Sequence, residues 1–233
     1  MTGFKSDKTL LWIMVVAAVL WSFRETSAET TLARIFIVLC CFPVHECAHA
    51  WTARKLGDNT AFFRGRVSLN PFAHLDPFGT FMIFAFGFGY AKPVPVDMNN
   101  FPYRKRKTYY MYTSLAGPVS NLLMALIFMV IMRLVLKTGA SGGTVMRFLS
   151  SAASINVMLA VFNLLPVPPL DGSSIWGVLI PGDRFYKSAK YSQYAIAGLF
   201  IVSILLHRLG FYPLSFITGK VFNGLWSLTG WIR

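Results

Sequence analysis

Long uncharged apolar runs alternate with short basic stretches along most of this chain. The runs are Leu10–Phe23, Ile35–Trp51, Tyr109–Met132, Phe148–Leu165, Tyr191–Leu206 and Phe211–Ile232. A hydrocarbon layer about 30 Å thick needs about 20 apolar residues to cross it as a helix. Tyr109–Met132 meets that requirement most clearly, with no charge over 24 residues. Leu10–Phe23 is shorter and resembles a signal-peptide core, but the later runs favour a first transmembrane helix. Phe211–Ile232 is interrupted by Gly219, Lys220 and Gly224. The pattern predicts an all-α polytopic membrane protein with about six transmembrane helices.

The stretch between the second and third runs reads differently. "FRGRVSLNP" alternates enough to predict a short strand. "FGTFMIFAFGFGY", Phe78–Tyr90, is too short to cross and suits a re-entrant segment. "AKPVPVD" must be extended, because its prolines block a helix. A small membrane-embedded β-sheet or re-entrant segment is therefore expected between spans two and three. The whole chain, 1–233, reads as one domain with a core at about 35–180.

Composition agrees with a membrane protein. Of 233 residues, 55% are hydrophobic and 13% charged. The net charge of +13 could signal a nucleic-acid partner. The basic residues lie mainly between apolar runs, however, as in "YRKRKTYY", and no nucleic-acid-binding signature accompanies them. They read as juxtamembrane charge facing a lipid bilayer. With the N-terminus in the cytoplasm, the predicted cytoplasmic side carries fifteen Lys and Arg, including Arg54, Lys55 and Arg104–Lys107, against six on the other side. The positive-inside rule then puts both termini in the cytoplasm. Cys40, Cys41 and Cys47 are too close together for a disulfide framework and read as small apolar side chains.

"VHECAHAWTARKLG" places two histidines and a carboxylate where hydrocarbon is expected. A helix turns about 100° per residue, so His49 lies about 40° round from His45 and one turn on. Both imidazoles can reach one ion, with Glu46 beside it. This is the HExxH arrangement, in which two histidines hold zinc and the glutamate serves as base. Ile35 lies ten residues before His45, roughly 15 Å along a helix, which puts the motif deep in the layer. A buried carboxylate there costs several kcal/mol unless something compensates it, and a dication would.

A catalytic zinc usually has three protein ligands and one open position. The remaining candidates are few. His74 lies in a turn-rich loop and His207 at a span end, so both read as interfacial. Asp7, Glu25, Glu29, Asp58, Asp76, Asp97 and Asp183 occupy terminal, loop or turn positions. Asp171 is the exception. It closes "FNLLPVPPLDG", where Pro166, Pro168 and Pro169 stop the preceding helix inside an apolar stretch. It is the expected third ligand.

These segments resemble the site-2 protease family of intramembrane zinc metalloproteases, peptidase family M50. His45, Glu46 and His49 match its HExxH motif. "NLLPVPPLDG" matches its second signature, which implies Asp171 as the third ligand of one Zn²⁺. "AGPVSN" is similar to the motif of its third span, and "GRVSLNP" and "GYAKPVPV" are similar to segments of its compact bacterial and archaeal members. The resemblance implies a core of three helices with a membrane-embedded sheet, in a bacterial or archaeal plasma membrane. It also implies a transmembrane protein as substrate. The chain leaves no room for the PDZ or CBS domain of many members.

The implied chemistry is peptide-bond hydrolysis, with Glu46 as general base. Asn121 is a candidate for contact with the oxyanion or substrate. Asn156 and Asn163, seven residues apart on one helical face, are both expected to hydrogen-bond within the bundle, with Asn163 kept as a further candidate for substrate contact. Substrate backbone is expected to add as a strand along "GRVSLNP" or "AKPVPV". Two alternatives remain at this level: a transport protein with an intramembrane metal site, and an inactive relative that binds partners.

Overall fold

A computed structural model describes residues 8–86, 89–139, 142–179, 198, 202, 205 and 212–232. The architecture among these is all-helical. The principal helices are α1 (Lys8–Glu25), α2 (Ala28–Phe36), α3 (Phe42–Lys55), α4 (Thr60–Phe63), α5 (Pro77–Phe86), α6 (Arg106–Lys137), α7 (Thr144–Asn163), α8 (Asp171–Leu179) and α9 (Pro213–Leu228). Three helical stretches are long and apolar enough to cross a membrane: Ala28–Lys55, Tyr103–Lys137 and Thr144–Asn163. They contain the predicted second and third spans and most of the fourth. Leu10–Phe23 lies within α1, and most of Phe211–Ile232 within α9. Nearly all of Tyr191–Leu206, like His207 and Asp183, lies outside the described residues, so three such stretches stand where six spans were expected.

The predicted sheet is corrected. Among the described residues there is no strand, and residues 64–70 form turns and bends. The reason is local: backbone and side-chain caps replace a ladder. The Arg66 amide donates to the Ala61 carbonyl at 2.9 Å. The Asn70 amide donates to Ser68 Oγ at 3.0 Å, and the Phe72 amide to Asn70 Oδ1 at 3.0 Å. The apolar segment that follows becomes α5, with Pro77 in its first turn and Asp76 Oδ1 accepting from the Gly79 amide at 2.8 Å. Residues 91–97 form no regular element, and Pro93 and Pro95 bias them and the residues before them toward extended backbone.

One continuous helical stretch carries α2 and α3, joined by a wide π turn over Ile37–Cys41. The Phe42 amide donates to Ile37, five residues back. Pro43, which has no amide hydrogen to give to the previous turn, follows at once. The extra residue of the turn rotates every later side chain around the axis. The two histidines of α3 consequently face α6.

α6 shows what its surroundings are. Leu123, Ile127, Ile131 and Leu134 form an exposed stripe, while Gly117, Asn121, Ala125, Phe128 and Met132 are buried on the opposite face. Large apolar groups outside and small or polar groups inside suit a helix solvated by lipid. α3 and α7 pack against α6, α2 against α7, and α1 against α5. Arg34 ties three helices together inside the first long span: its Nη1 donates to Ser22 Oγ at 2.9 Å and to the Phe84 carbonyl at 2.8 Å. Near the start of the same stretch, Arg147 of α7 donates to Glu29 Oε1 at 2.6 and 2.9 Å.

Candidate metal centre

His45 and His49 are buried on α3, one turn apart, as the helical spacing requires. Asp171 arrives from 122 positions further along, at the first residue of α8. Helix α7 ends at Asn163, and the proline-rich chain after it folds back on itself. Gly172 permits this turn, since a Cβ there would sit 2.3 Å from the Leu164 carbonyl oxygen. Trp176 Nε1 donates to the same carbonyl at 3.2 Å and braces the turn. Three atoms then converge. His45 Nε2 and His49 Nε2 are 3.1 Å apart, and Asp171 Oδ2 lies 3.3 Å from the first and 3.4 Å from the second.

These distances fit a tetrahedral ion. Zinc bonds of about 2.0–2.1 Å give tetrahedral edges of about 3.3 Å. Lone-pair chemistry fits as well. His49 Nδ1 donates to the Thr113 carbonyl at 2.6 Å, which leaves Nε2 as a bare acceptor. Asp171 Oδ2 is buried with no conventional hydrogen bond. Acceptors pressed together in a dry site repel one another unless a cation lies between them. Among the described residues, these three alone form a group of His, Cys, Asp or Glu able to hold a metal. Cys47 is not part of it; Cys41 is buried, Cys47 half-buried and Cys40 exposed.

Gly117 is the close partner on α6. A Cβ at this position would meet His49 Nε2 at 2.3 Å and His45 Cε1 at 2.5 Å. The His49 ring cannot retreat without breaking its bond to the Thr113 carbonyl. Gly117→Ala is expected to displace the imidazoles and lower zinc affinity by about 100-fold or more, judged against outer-partner losses of 10–100-fold. Zinc titration of the purified variant checks this; unchanged affinity would show that α6 moves away freely.

A cavity of about 480 Å³ opens beside the three atoms. Glu46 lines it, is 6% exposed, and makes no hydrogen bond among the described residues. Asn121 and Asn163 line it too, and Asn121 Oδ1 is buried without a partner. Asn156 does not line it; its Nδ2 donates to the Ala152 carbonyl at 2.9 Å inside the bundle. One wall is formed by Tyr90, Ala91, Pro93, Val94 and Val96, the extended segment. "GRVSLNP" contributes nothing to the lining.

Sequence reasoning missed two residues near this wall. His74, expected at an interface, is fully buried and donates from Nε2 to the Ser68 carbonyl at 2.8 Å. Burial holds its pKa below the ordinary histidine value; the Ser68 bond opposes this and the Arg66 charge reinforces it. Asp58, expected in a loop, is also fully buried. Burial pushes its carboxyl up, but hydrogen bonds from Thr60, Asn100 and the Asp97 amide outweigh this and leave it below the usual carboxylate value. The only advance signal was a polar "GDNT" directly after a helix end.

Comparison with known proteins points to a family. The model of peptidase family M50 matches residues 133–206, the part that holds Asp171. YwhC of Bacillus subtilis (strain 168), named as a zinc metalloprotease, is 40% identical over 177 residues, covering 74% of this chain and 78% of that protein. Rip2 of Mycolicibacterium smegmatis is 28% identical over 221 residues, covering 85% and 81%. MJ0611 of Methanocaldococcus jannaschii is 27% identical over 208 residues, covering 85% and 92%; both also carry that name. No solved structure matches. With the histidine pair and the aspartate brought to one point, and with a 40% identical relative covering three quarters of it, the chain belongs to peptidase family M50.

Proposed function

We propose that this chain, a zinc metalloprotease by family, hydrolyses a peptide bond of a membrane-protein substrate within or near a transmembrane segment. One observation carries the reading. The convergent His45, His49 and Asp171 lie beside Glu46 on the wall of a cavity between helices long enough to cross a membrane. His45, His49 and Asp171 would hold one Zn²⁺, which when bound activates water and polarises a carbonyl. Glu46 takes a proton from the attacking water and passes it to the leaving amine. Thr113, through its carbonyl, keeps the proton of His49 on Nδ1 and so keeps Nε2 free. Asn121 can donate an amide hydrogen to the scissile carbonyl as charge builds there, and Asn163 contacts the substrate backbone.

A substrate helix must unwind first, because its amides are satisfied internally. The extended segment at 91–97 borders the cavity and offers a surface for the unwound strand. The host membrane in this reading is the bacterial or archaeal plasma membrane, and with the six-span count the charge asymmetry supports both termini on the cytoplasmic side.

The test uses the full chain in zinc-loaded proteoliposomes with a transmembrane reporter. Cleavage should map to the hydrophobic segment, stop on chelation and return with zinc. Vesicles that take up zinc but leave the reporter whole would favour a transporter and overturn the proposal.

A further inference from the structure

The cavity wall at 93–96 is held at both ends by buried polar side chains. At the first end, the Lys92 amide donates to the His74 carbonyl at 2.7 Å. Arg66 donates to the Lys92 carbonyl and also lies 3.5 Å from His74 Nδ1. At the other end, the Asp97 amide donates to Asp58 Oδ2 at 2.8 Å. Asp58 Oδ1 accepts from the Thr60 amide at 2.9 Å, the Thr60 hydroxyl at 2.5 Å and Asn100 Nδ2 at 2.7 Å. The Asp58 amide itself donates to the Ala53 carbonyl at 2.9 Å, in the last turns of α3. Asp58 therefore links the helix that carries His45, Glu46 and His49 to the far end of the wall.

Between the anchors the backbone is unused. Pro93 and Pro95 have no amide hydrogen. Among the described residues, no hydrogen bond engages the backbone of Val94 or Val96. Successive residues of an extended chain direct their backbone groups to opposite edges. Val94 and Val96 thus present donors and acceptors on one edge, while the proline edge has acceptors only. The wall is an unpaired segment with one usable side, anchored at both ends before anything pairs with it.

We infer that Asp58 is a positioning residue for proteolysis: acting through Asp97, and opposite the Arg66–His74 anchor, it holds the Val94–Val96 edge so that unwound substrate backbone pairs in one register relative to Glu46. The inference rests on the proposed intramembrane cleavage. A carboxylate bonded by three residues from two chain segments, Thr60 on one side and Asp97 with Asn100 on the other, is suited to this, since loss of one arm frees the wall without touching the metal.

The experiment measures binding of a fluorescent transmembrane reporter peptide to the full, zinc-loaded chain carrying Glu46→Gln, with and without a change at Asp58. Asp58→Ala should raise Kd by about tenfold or more, the scale of losing hydrogen bonds to a charged group. In the Glu46 protein it should raise KM similarly, with kcat within about twofold and zinc content unchanged. Asp58→Asn keeps the volume but can satisfy only one arm, so it should raise KM even if Asp58→Ala folds poorly. Unchanged Kd and KM in the Asn variant overturn the inference. So does a loss of zinc and folded protein with unchanged KM in what remains, which marks a purely structural role. If the wild-type chain binds the reporter but never cuts it, the protease reading falls, and the binding measurement still decides the role of Asp58.

Discussion

Glu46→Gln is expected to keep zinc and lose peptide cleavage. Glutamine has nearly the same shape but cannot accept the proton of the attacking water. Glu46 makes no hydrogen bond among the described residues, so the change disrupts no network. General acid–base catalysis contributes about 10²- to 10⁴-fold, and turnover should fall on that scale. Elemental analysis and reporter cleavage on one preparation read both quantities. Retained turnover would remove Glu46 from the chemistry. Loss of zinc together with turnover would instead make it a ligand.

Asp171→Ala should have the opposite signature, with zinc lost first and cleavage in consequence. Asp171 Oδ2 supplies the third corner of a triangle with edges of 3.1, 3.3 and 3.4 Å. Without it, two imidazoles from one helical turn face an ion alone. Affinity should fall by more than about 100-fold, beyond the loss from removing an outer partner of a ligand. Asp171→Asn is the sharper control, since it keeps an oxygen of similar reach but removes the negative charge. Stoichiometric, tight zinc in the alanine variant would dismiss Asp171 as a ligand, whatever its position.

The two predictions separate because the site has two sources. His45, Glu46 and His49 come from one helical turn and need only that turn to exist. Asp171 needs α7 to stop, the chain to reverse over Leu164–Leu170, and α8 to begin at that residue. Gly172 and Gly117 give the space on either side. Both glycines lie within sequence motifs, yet nothing in a motif says which atom a missing side chain makes room for.

The apolar runs and the HExxH spacing were legible from sequence because they obey local rules. Span length follows from bilayer thickness, and two histidines four apart share a helix face wherever the helix sits. Local rules misjudged the segment after α3. "FRGRVSLNP" alternates like a strand, but a strand needs a partner ladder, and its backbone and side chains satisfy one another in turns instead. They also misjudged His74, expected at an interface and fully buried, and placed Asp58 correctly in a loop without showing that it is fully buried there. Sequence alone thus determined the three long apolar stretches, the HExxH turn and the residue types available for a third ligand. Tertiary structure alone decided which extended segment walls the cavity, which polar side chains anchor it, and how closely α6 approaches the imidazoles. Those outcomes depend on contacts between positions far apart in the chain, and helical periodicity carries no information about such distances.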